Sequence, residues 1–346
     1  MRVGIDAQLV RGTATGIGEY VAGLCAALRE AGTVEIVPLQ SERLDPWRFD
    51  RRVLWDQLLL PRAAARARID LLHCASGTMP LFAPVPLLAT VHDVAFLRVQ
   101  GHVRAYARAY FGSFQLERYR RARRILVDSH FSRTELLACG GIDPALVEVV
   151  YPGVAADLFS IRRSPVAAEQ AFALALGTVE ERKNLGVVIQ ALRAVPGLRL
   201  MSVGPFTPYH DECLARAREA GVSDRVEFRG YLPRAELLEL YARATCALLP
   251  SRYEGFGYAA AQALCAGVPL LCADSSSLPE VAGPAANLPP DEPDAWAEAL
   301  RALLASADSA EAAAAALRPA AIARFAWRTA AEAVAAAYVR ALAESL

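Results

Sequence analysis

Lysine is almost missing from this chain of 346 residues: Lys183 is the only one, and the rest of the 37 basic side chains are arginines. They are balanced by 37 acids, so the formal net charge is zero, which excludes a protein built to coat a polyanion. With 21% charged and 54% hydrophobic residues, nothing suggests a disordered chain. Cysteine is scarce and scattered, at positions 25, 74, 139, 213, 246, 265 and 272, and no CxxC pair occurs. Such an odd, unpaired set argues for a reducing compartment and against a zinc site or a disulfide framework. Asp-x-Asp, HExxH and P-loop motifs are missing too, so no metal is expected. No apolar run reaches membrane-spanning length without a charge or proline. The N-terminus begins directly on a strand-like run with no leader pattern. These absences predict a cytoplasmic protein, one still able to touch the inner face of a membrane.

What is present is a regular alternation. In the first half "RVGIDAQLV", "VEIVPL", "IDLLHC", "PLLATVHD", "RRILVDS" and "VEVVYPG" read as strands between helical segments, with a helix from about Glu19 to Ala31. The second half restarts with "FALALGT", "LRLMSVG", "RVEFRG", "TCALLPS" and "PLLCAD". Short apolar strands between helices of ordinary length predict parallel sheets covered on both faces. The expectation is an α/β protein of two doubly wound domains, 1–160 and 170–327, joined by the aperiodic stretch 159–170. A terminal amphipathic helix, about 328–346, is expected to pack back on the first domain. Ligands belong at the carboxyl ends of the strands, in a central cleft.

The stretch "PSRYEGFGYAAAQALCAGVPLL" (250–271) carries the sharpest chemistry. Glu254 precedes Gly255, Phe256 and Gly257, and the glycines free the backbone where a small-residue helix begins. Exposed N–H groups and the positive helix end suit an anionic or hydroxyl-rich ligand. Gln262 lies eight residues on, a little over two turns, near the same helix side.

This pattern resembles the retaining nucleotide-sugar glycosyltransferases of family 4, which have the GT-B fold of two Rossmann-like domains. Their signature is Glu, seven residues, Glu, then Gly-x-Pro; Glu254, Gln262 and "AGVP" match it. "GIDAQLVRGTATGIGEY", "LWDQLLLP", "ATVHDVAF", "VDSHFSRTEL", "VVYPGV", "LGTVEERKNL", "GYLPRAELLELYARA" and "SSSLPEVAG" are similar, in order, to landmarks of the bacterial mannosyltransferase-like branch. The resemblance implies transfer of a hexose, mannose first, from a nucleotide diphosphate sugar such as GDP-mannose to a glycan or lipid-linked glycan in polysaccharide or glycoconjugate biosynthesis. It implies no metal or other cofactor.

Residue by residue, it implies that Glu254 lies against the donor sugar and that Lys183 and Arg182 hold the diphosphate. Thr178 stands where many members have arginine. Gly16 and Gly18 belong to a glycine loop near the diphosphate, and Gly255, Phe256 and Gly257 form the turn beside the sugar. Gln262 replaces the acid that binds the ribose, which keeps a contact and removes its charge. His92, in "TVHD", is placed beside the reacting sugar; Asp93 and Glu280 also read as turn or helix caps.

Stretch 98–124 holds eight arginines against Glu117, interleaved with Tyr106, Tyr110, Phe111, Phe114 and Tyr119. It reads either as a packed helix with a solvated basic face or as a patch for anionic lipid headgroups. Nucleic acid is not expected. Acceptor pockets are expected in loops near 40–60 and 96–115. Two rival readings remain: another GT-B sugar synthase, and a non-catalytic protein that binds glycan or stabilises a partner.

Overall fold

The structure is a computed structural model that describes residues 1–10, 16–45, 47–98 and 105–343. The chain divides into two compact units, residues 1–153 with 325–346 and residues 154–324. Each is described by itself.

The first unit holds strands β1 Arg2–Asp6, β2 Glu35–Leu39, β3 Leu71–Cys74, β4 Leu87–Val91, β5 Arg124–Val127 and β6 Val147–Val149. They form one sheet in the order 2-1-3-4-5-6, all parallel, with Val3 beside Ile36 on one side and Leu71 on the other. On one face, helix Gly16–Ala31 places Tyr20, Leu24, Ala27 and Leu28 against the sheet, at the spacing of one helical side. Helix Trp327–Ala343 lies beside it and buries Ala330, Val334, Ala337, Tyr338 and Ala341. Trp327 fixes the contact, because a Cβ at Gly23 or Gly153 would fall 2.2 or 2.3 Å from its ring atoms. The opposite face packs Trp55, Leu60, Ala64, Tyr119 and Leu136. Burial on both faces explains why these strands read as unbroken apolar runs.

The second unit repeats the plan with β7 Phe172–Leu176, β8 Arg199–Val203, β9 Val226–Arg229, β10 Cys246–Leu249, β11 Leu270–Ala273 and β12 Ala286–Leu288. Its order is 12-11-10-7-8-9, again parallel throughout. The two doubly wound parallel sheets are the α/β architecture expected from the alternation.

The division between units falls after Gly153, so stretch 159–170 lies inside the second unit. Its backbone is tied down there. Arg163 donates to the Ala242 carbonyl at 3.1 Å, and the N–H groups of Ser164 and Val166 bond to the carbonyls of Ala242 and Arg243. A linker of irregular sequence is thus held by main-chain pairing that no periodicity announces.

Candidate functional site

In the second unit, β7 and β10 are neighbours, and the turns leaving their carboxyl ends build the site. After β7 the chain passes Gly177 at φ 120° and a short 3-10 turn, Glu181–Lys183. Asn184, buried at φ 53°, ends that turn, and its Nδ2 donates to the Pro290 carbonyl at 2.6 Å. After β10, residues 250–257 lead into helix Tyr258–Ala266. These turns bring together residues far apart in sequence. Lys183 Nζ donates to Glu254 Oε1 at 2.6 Å, Arg182 Nη1 to Oε2 at 3.1 Å, and the Ser251 hydroxyl to Oε1 at 2.7 Å. Arg182 also reaches Glu180 Oε1 at 2.7 Å and the Tyr253 carbonyl at 3.0 Å.

Glu254 is only 5% exposed. Burial pushes its carboxyl up, but the charges of Lys183 and Arg182, with hydrogen bonds from Lys183 and Ser251, outweigh that and hold it at about 2. It is a fixed carboxylate between two cations.

Two positions here accept only glycine. Gly257 starts the helix at φ 86°, and a Cβ there would lie 2.5 Å from Leu278 Cδ2. At Gly204, φ 148°, a Cβ would meet the Gly177 carbonyl oxygen at 2.2 Å. Gly255 and Phe256 are buried in the turn. Thr178, Lys183 and Ser251 line one small recess at the sheet edge. Gln262 is buried in the same helix, its Oε1 accepting from the Tyr241 hydroxyl at 3.1 Å. The structure therefore gathers Lys183, Arg182 and Glu254, sets Thr178 beside them, and places Gly255, Phe256, Gly257 and Gln262 along the following turn and helix.

In the first unit, His92 follows β4. Its Nε2 lies 3.0 Å from the Ala75 carbonyl, which can only accept, and its Nδ1 lies 2.7 Å from Asp128 Oδ2. Burial works against the imidazolium, but Asp128 raises the His92 pKa overall, and burial raises that of Asp128. With Nε2–H donated to a carbonyl, the second proton is shared along the Nδ1–Oδ2 line. Neither ring nitrogen is left as an open base. Beneath it the Tyr20 ring meets His92 edge-on at 4.8 Å. His73 links Thr90 and Tyr338, each at 2.7 Å. Burial pushes His73 down to about 3, so that network is neutral.

Asp93 accepts from the Ala95 N–H at 2.9 Å, as a cap for helix Ala95–Arg98. Gly16 and Gly18 form the first turn of helix Gly16–Ala31; residues 11–15 of the expected glycine loop lie outside the described residues. Glu280 sits in the first turn of helix Leu278–Ala282.

A cluster in the first unit escaped the sequence reading. Asp6, at the end of β1, accepts from Trp55 Nε1 at 2.8 Å, Ser76 Oγ at 2.8 Å and Arg52 Nη2 at 3.0 Å. Arg52 Nε also lies 3.0 Å from Asp56 Oδ1, and Tyr110 donates to Asp56 Oδ2 at 2.8 Å. Burial is the main reason that Asp56 rises to about 6, with Arg52 opposing. The only hints were an acid closing an apolar strand and the Trp-Asp pair of "LWDQLLLP".

Stretches 40–60 and 96–115, expected as loops, are largely helical. They contain Phe49–Leu54, Ala95–Arg98 and Ala105–Arg108, continued by π-helical turns Trp55–Leu59 and Ala109–Phe114. Pro46 and residues 99–104, with Arg104, lie outside the described residues. Nor do the arginines of 98–124 share one face. Arg118 and Arg124 are buried, Arg98 pairs with Glu135 at 3.0 Å, and Arg118 stacks 3.1 Å over the Phe114 ring. Among the described residues no helix is long and apolar enough to cross a membrane, and no three of His, Cys, Asp and Glu gather as a metal-holding group.

Two family profiles match in tandem: "Glycosyltransferase Family 4" over residues 14–158 and "Glycosyl transferases group 1" over residues 159–318. The chain belongs to the family 4 glycosyltransferases. The chain is 32% identical over 214 residues to the O-antigen chain mannosyltransferase B of Escherichia coli, covering 57% of this chain and 55% of that protein. It is 30% identical over 278 residues to a D-inositol 3-phosphate glycosyltransferase of Mycolicibacterium paratuberculosis, covering 75% of this chain and 63% of the relative. The chain thus spans less than two thirds of the length of these relatives. Among solved structures, the sucrose-phosphate synthase of Thermosynechococcus elongatus superposes with a TM-score of 0.80 at 20% identity, over 99% of both chains. That likeness is one of fold, and it agrees with the GT-B architecture implied by the sequence.

Proposed function

We propose that this protein transfers a hexose, mannose first, from a nucleotide diphosphate sugar to a hydroxyl of a glycan or lipid-linked glycan, with retention at the anomeric carbon. The observation that carries the reading is the Lys183–Glu254–Arg182 arrangement at the carboxyl edge of the second sheet. Two cations at that edge suit a diphosphate, and a buried, ionised carboxylate between them suits sugar hydroxyls. On this reading the incoming diphosphate draws Lys183 and Arg182 toward itself and releases Glu254 to the hexose. The N–H groups of Gly255 to Gly257 and the start of helix Tyr258–Ala266 add fixed positive dipole. Thr178 borders the donor, and Gln262 meets the ribose.

In the reaction the bond from the anomeric carbon to the β-phosphate oxygen breaks while the acceptor oxygen attacks from the same face. The departing phosphate oxygen takes the acceptor proton. The state of His92 agrees with that assignment: with both nitrogens engaged, it is not poised to remove a proton. No metal step is required, since Lys183 and Arg182 supply positive charge at the leaving group. The mannosyl part of the reading draws on the E. coli relative's name. A cytoplasmic location with peripheral contact at an anionic membrane belongs to the same proposal and rests on the exposed Arg120, Arg121 and Arg123. Sedimentation with anionic liposomes at low salt tests it, and absence of binding removes it.

A thermal-shift series with GDP-, UDP- and TDP-sugars, with and without magnesium, tests the main proposal. Stabilisation by one nucleotide class without magnesium is expected. No shift with any donor at near-millimolar concentration would overturn it.

A further inference from the structure

Asp128 follows β5 and is 5% exposed, in the turn that opens helix His130–Ala138. Among the described residues its side chain has one partner, His92, whose Nδ1 lies 2.7 Å from Oδ2, and its Oδ1 is buried with none. A buried carboxylate with no arginine or lysine beside it is costly, and an apolar side chain of similar size is ordinarily as stable or more so. The turn around it is firm. Ser129 Oγ caps the helix by accepting from the Ser132 N–H at 2.9 Å, and the Ser132 hydroxyl donates to the His92 carbonyl at 3.2 Å. The turn thus grips His92 twice, the ring through Asp128 and the backbone through Ser132.

The acceptors around His92 fix its proton count. The Ala75 carbonyl at 3.0 Å can only accept, so Nε2 carries hydrogen. A bare Nδ1 would set its lone pair against an ionised Asp128 oxygen at 2.7 Å, a repulsive contact. A second proton therefore lies between ring and carboxylate, and the pair is neutral as a whole. Its other neighbours add no rival cation. Asp93, next in the chain, is a further carboxylate that favours the imidazolium. On β3, burial pushes His73 down to about 3, and on helix Gly16–Ala31 burial raises Tyr20, whose ring meets His92 edge-on at 4.8 Å. Both are neutral. Burial opposes the charge on His92, but Asp128 and its hydrogen bond outweigh burial and raise the ring above its ordinary value of 6.5.

We propose that Asp128 is a positioning residue for glycosyl transfer, one that ties His92 in a single orientation and keeps both ring nitrogens protonated. The inference rests on the glycosyl-transfer reading above, with His92 beside the reacting sugar as the family resemblance implies. A positively polarised ring there attracts the electron-rich oxygens of the sugar and the charge that leaves with the diphosphate. A bare ring nitrogen would instead be a base able to activate water against the donor. Asp128 touches no substrate and acts through His92.

The test compares the full chain with Asp128→Asn and Asp128→Ala, using the nucleotide sugar that gives the thermal shift. Asparagine keeps the shape and can still bond to Nδ1, but it removes the charge that holds the second proton. At pH 7 Asp128→Asn is expected to lower kcat about ten- to a hundredfold, with the donor KM within about twofold of wild type. Most of the rate should return toward pH 5.5 as the proton returns, so the alkaline limb of its pH profile moves down by at least about one unit. Asp128→Ala, which also frees the ring to turn, is expected to lose more and recover less. The donor-induced thermal shift should persist in both, because Lys183, Arg182 and Glu254 are untouched. The chain has five histidines, so ring 1H–15N spectra can be assigned with His92→Gln. At pH 7 they are expected to show both His92 nitrogens protonated in wild type and only one in Asp128→Asn. An Asp128→Asn enzyme with the wild-type pH profile overturns the inference. So does a rate loss of equal size at every pH, which is a purely structural effect, or a bare His92 nitrogen in the wild-type spectrum. If no donor shifts the wild-type chain or supports transfer, the glycosyl-transfer reading falls, and the spectra alone decide whether Asp128 keeps His92 protonated.

Discussion

Tyr241 donates its hydroxyl hydrogen to Gln262 Oε1 across 3.1 Å, with Tyr241 wholly buried on helix Arg234–Arg243. The side chain that replaces the family's second acid is therefore held in place. An acid at 262 could accept the same Tyr241 bond and would meet the donor ribose with charge assistance. Charged hydrogen bonds contribute about 1.5–3 kcal/mol against about 0.5–1.5 for neutral ones. Gln262→Glu is expected to tighten nucleotide-sugar binding by about five- to tenfold and to lower Tm, since burial at this position disfavours a charged carboxylate. Isothermal titration and a melting curve measure both; unchanged affinity would detach Gln262 from the ribose.

Lys183 is the one lysine of the chain, and it sits in the Glu254 contact. Lys183→Ala is expected to lower kcat/KM by about a hundred- to a thousandfold, the range for a lost transition-state charge partner. Lys183→Arg should restore only part of this, because a planar fork replaces a point charge. The variant should still fold, because Arg182 and Ser251 continue to hold Glu254. A near-normal rate in Lys183→Ala would remove the assignment.

How far this site was legible in advance depends on where its contacts lie along the chain. Strands such as "RILV" and "CALL", buried on both faces, announce themselves as apolar runs. β12 does not, because its three residues Ala286–Leu288 lie among glycines and prolines. Glu254 and Lys183 each stood out in a local motif, but their separation of 71 positions hides their contact. Asp6, Arg52 and Asp56 carried no usable pattern: a charge that ends a strand or lies on a helix is ordinarily solvated, and only the packed sheet turns these three inward. The linker misled for the same reason, since main-chain pairing leaves no mark on side-chain periodicity.

Gly23 and Gly153 form the seat of Trp327, with a Cβ at Gly23 only 2.2 Å from ring atom Cε2. The ring is rigid and cannot yield as a flexible chain end would. Gly23→Ala is expected to destabilise the first unit by about 1–3 kcal/mol, as overpacking does, and to lower its melting transition by several degrees. Adding Trp327→Leu should recover part of the loss by removing the collision. Differential scanning calorimetry of both variants checks this, and a Gly23→Ala protein as stable as wild type would show that helix Trp327–Ala343 is loosely held.

Glu254 also predicts an acid limb of stability. Its folded pKa of about 2 lies below the ordinary value of 4.5. The folded state therefore binds this proton less tightly than the unfolded chain does, and the contribution is present above pH 4.5 and is lost as pH falls toward 2. The full effect is on the order of 3 kcal/mol, of which roughly 2 disappears by pH 3. Glu254→Gln keeps the shape and removes the titration. Urea unfolding of the full chain at pH 6 and pH 3 should show wild type losing roughly 2 kcal/mol more than the variant, because the other carboxylates titrate alike in both. Equal losses would mean that Lys183 and Arg182 do not hold the carboxylate in solution, and the site would then lack the fixed charge on which its proposed chemistry depends.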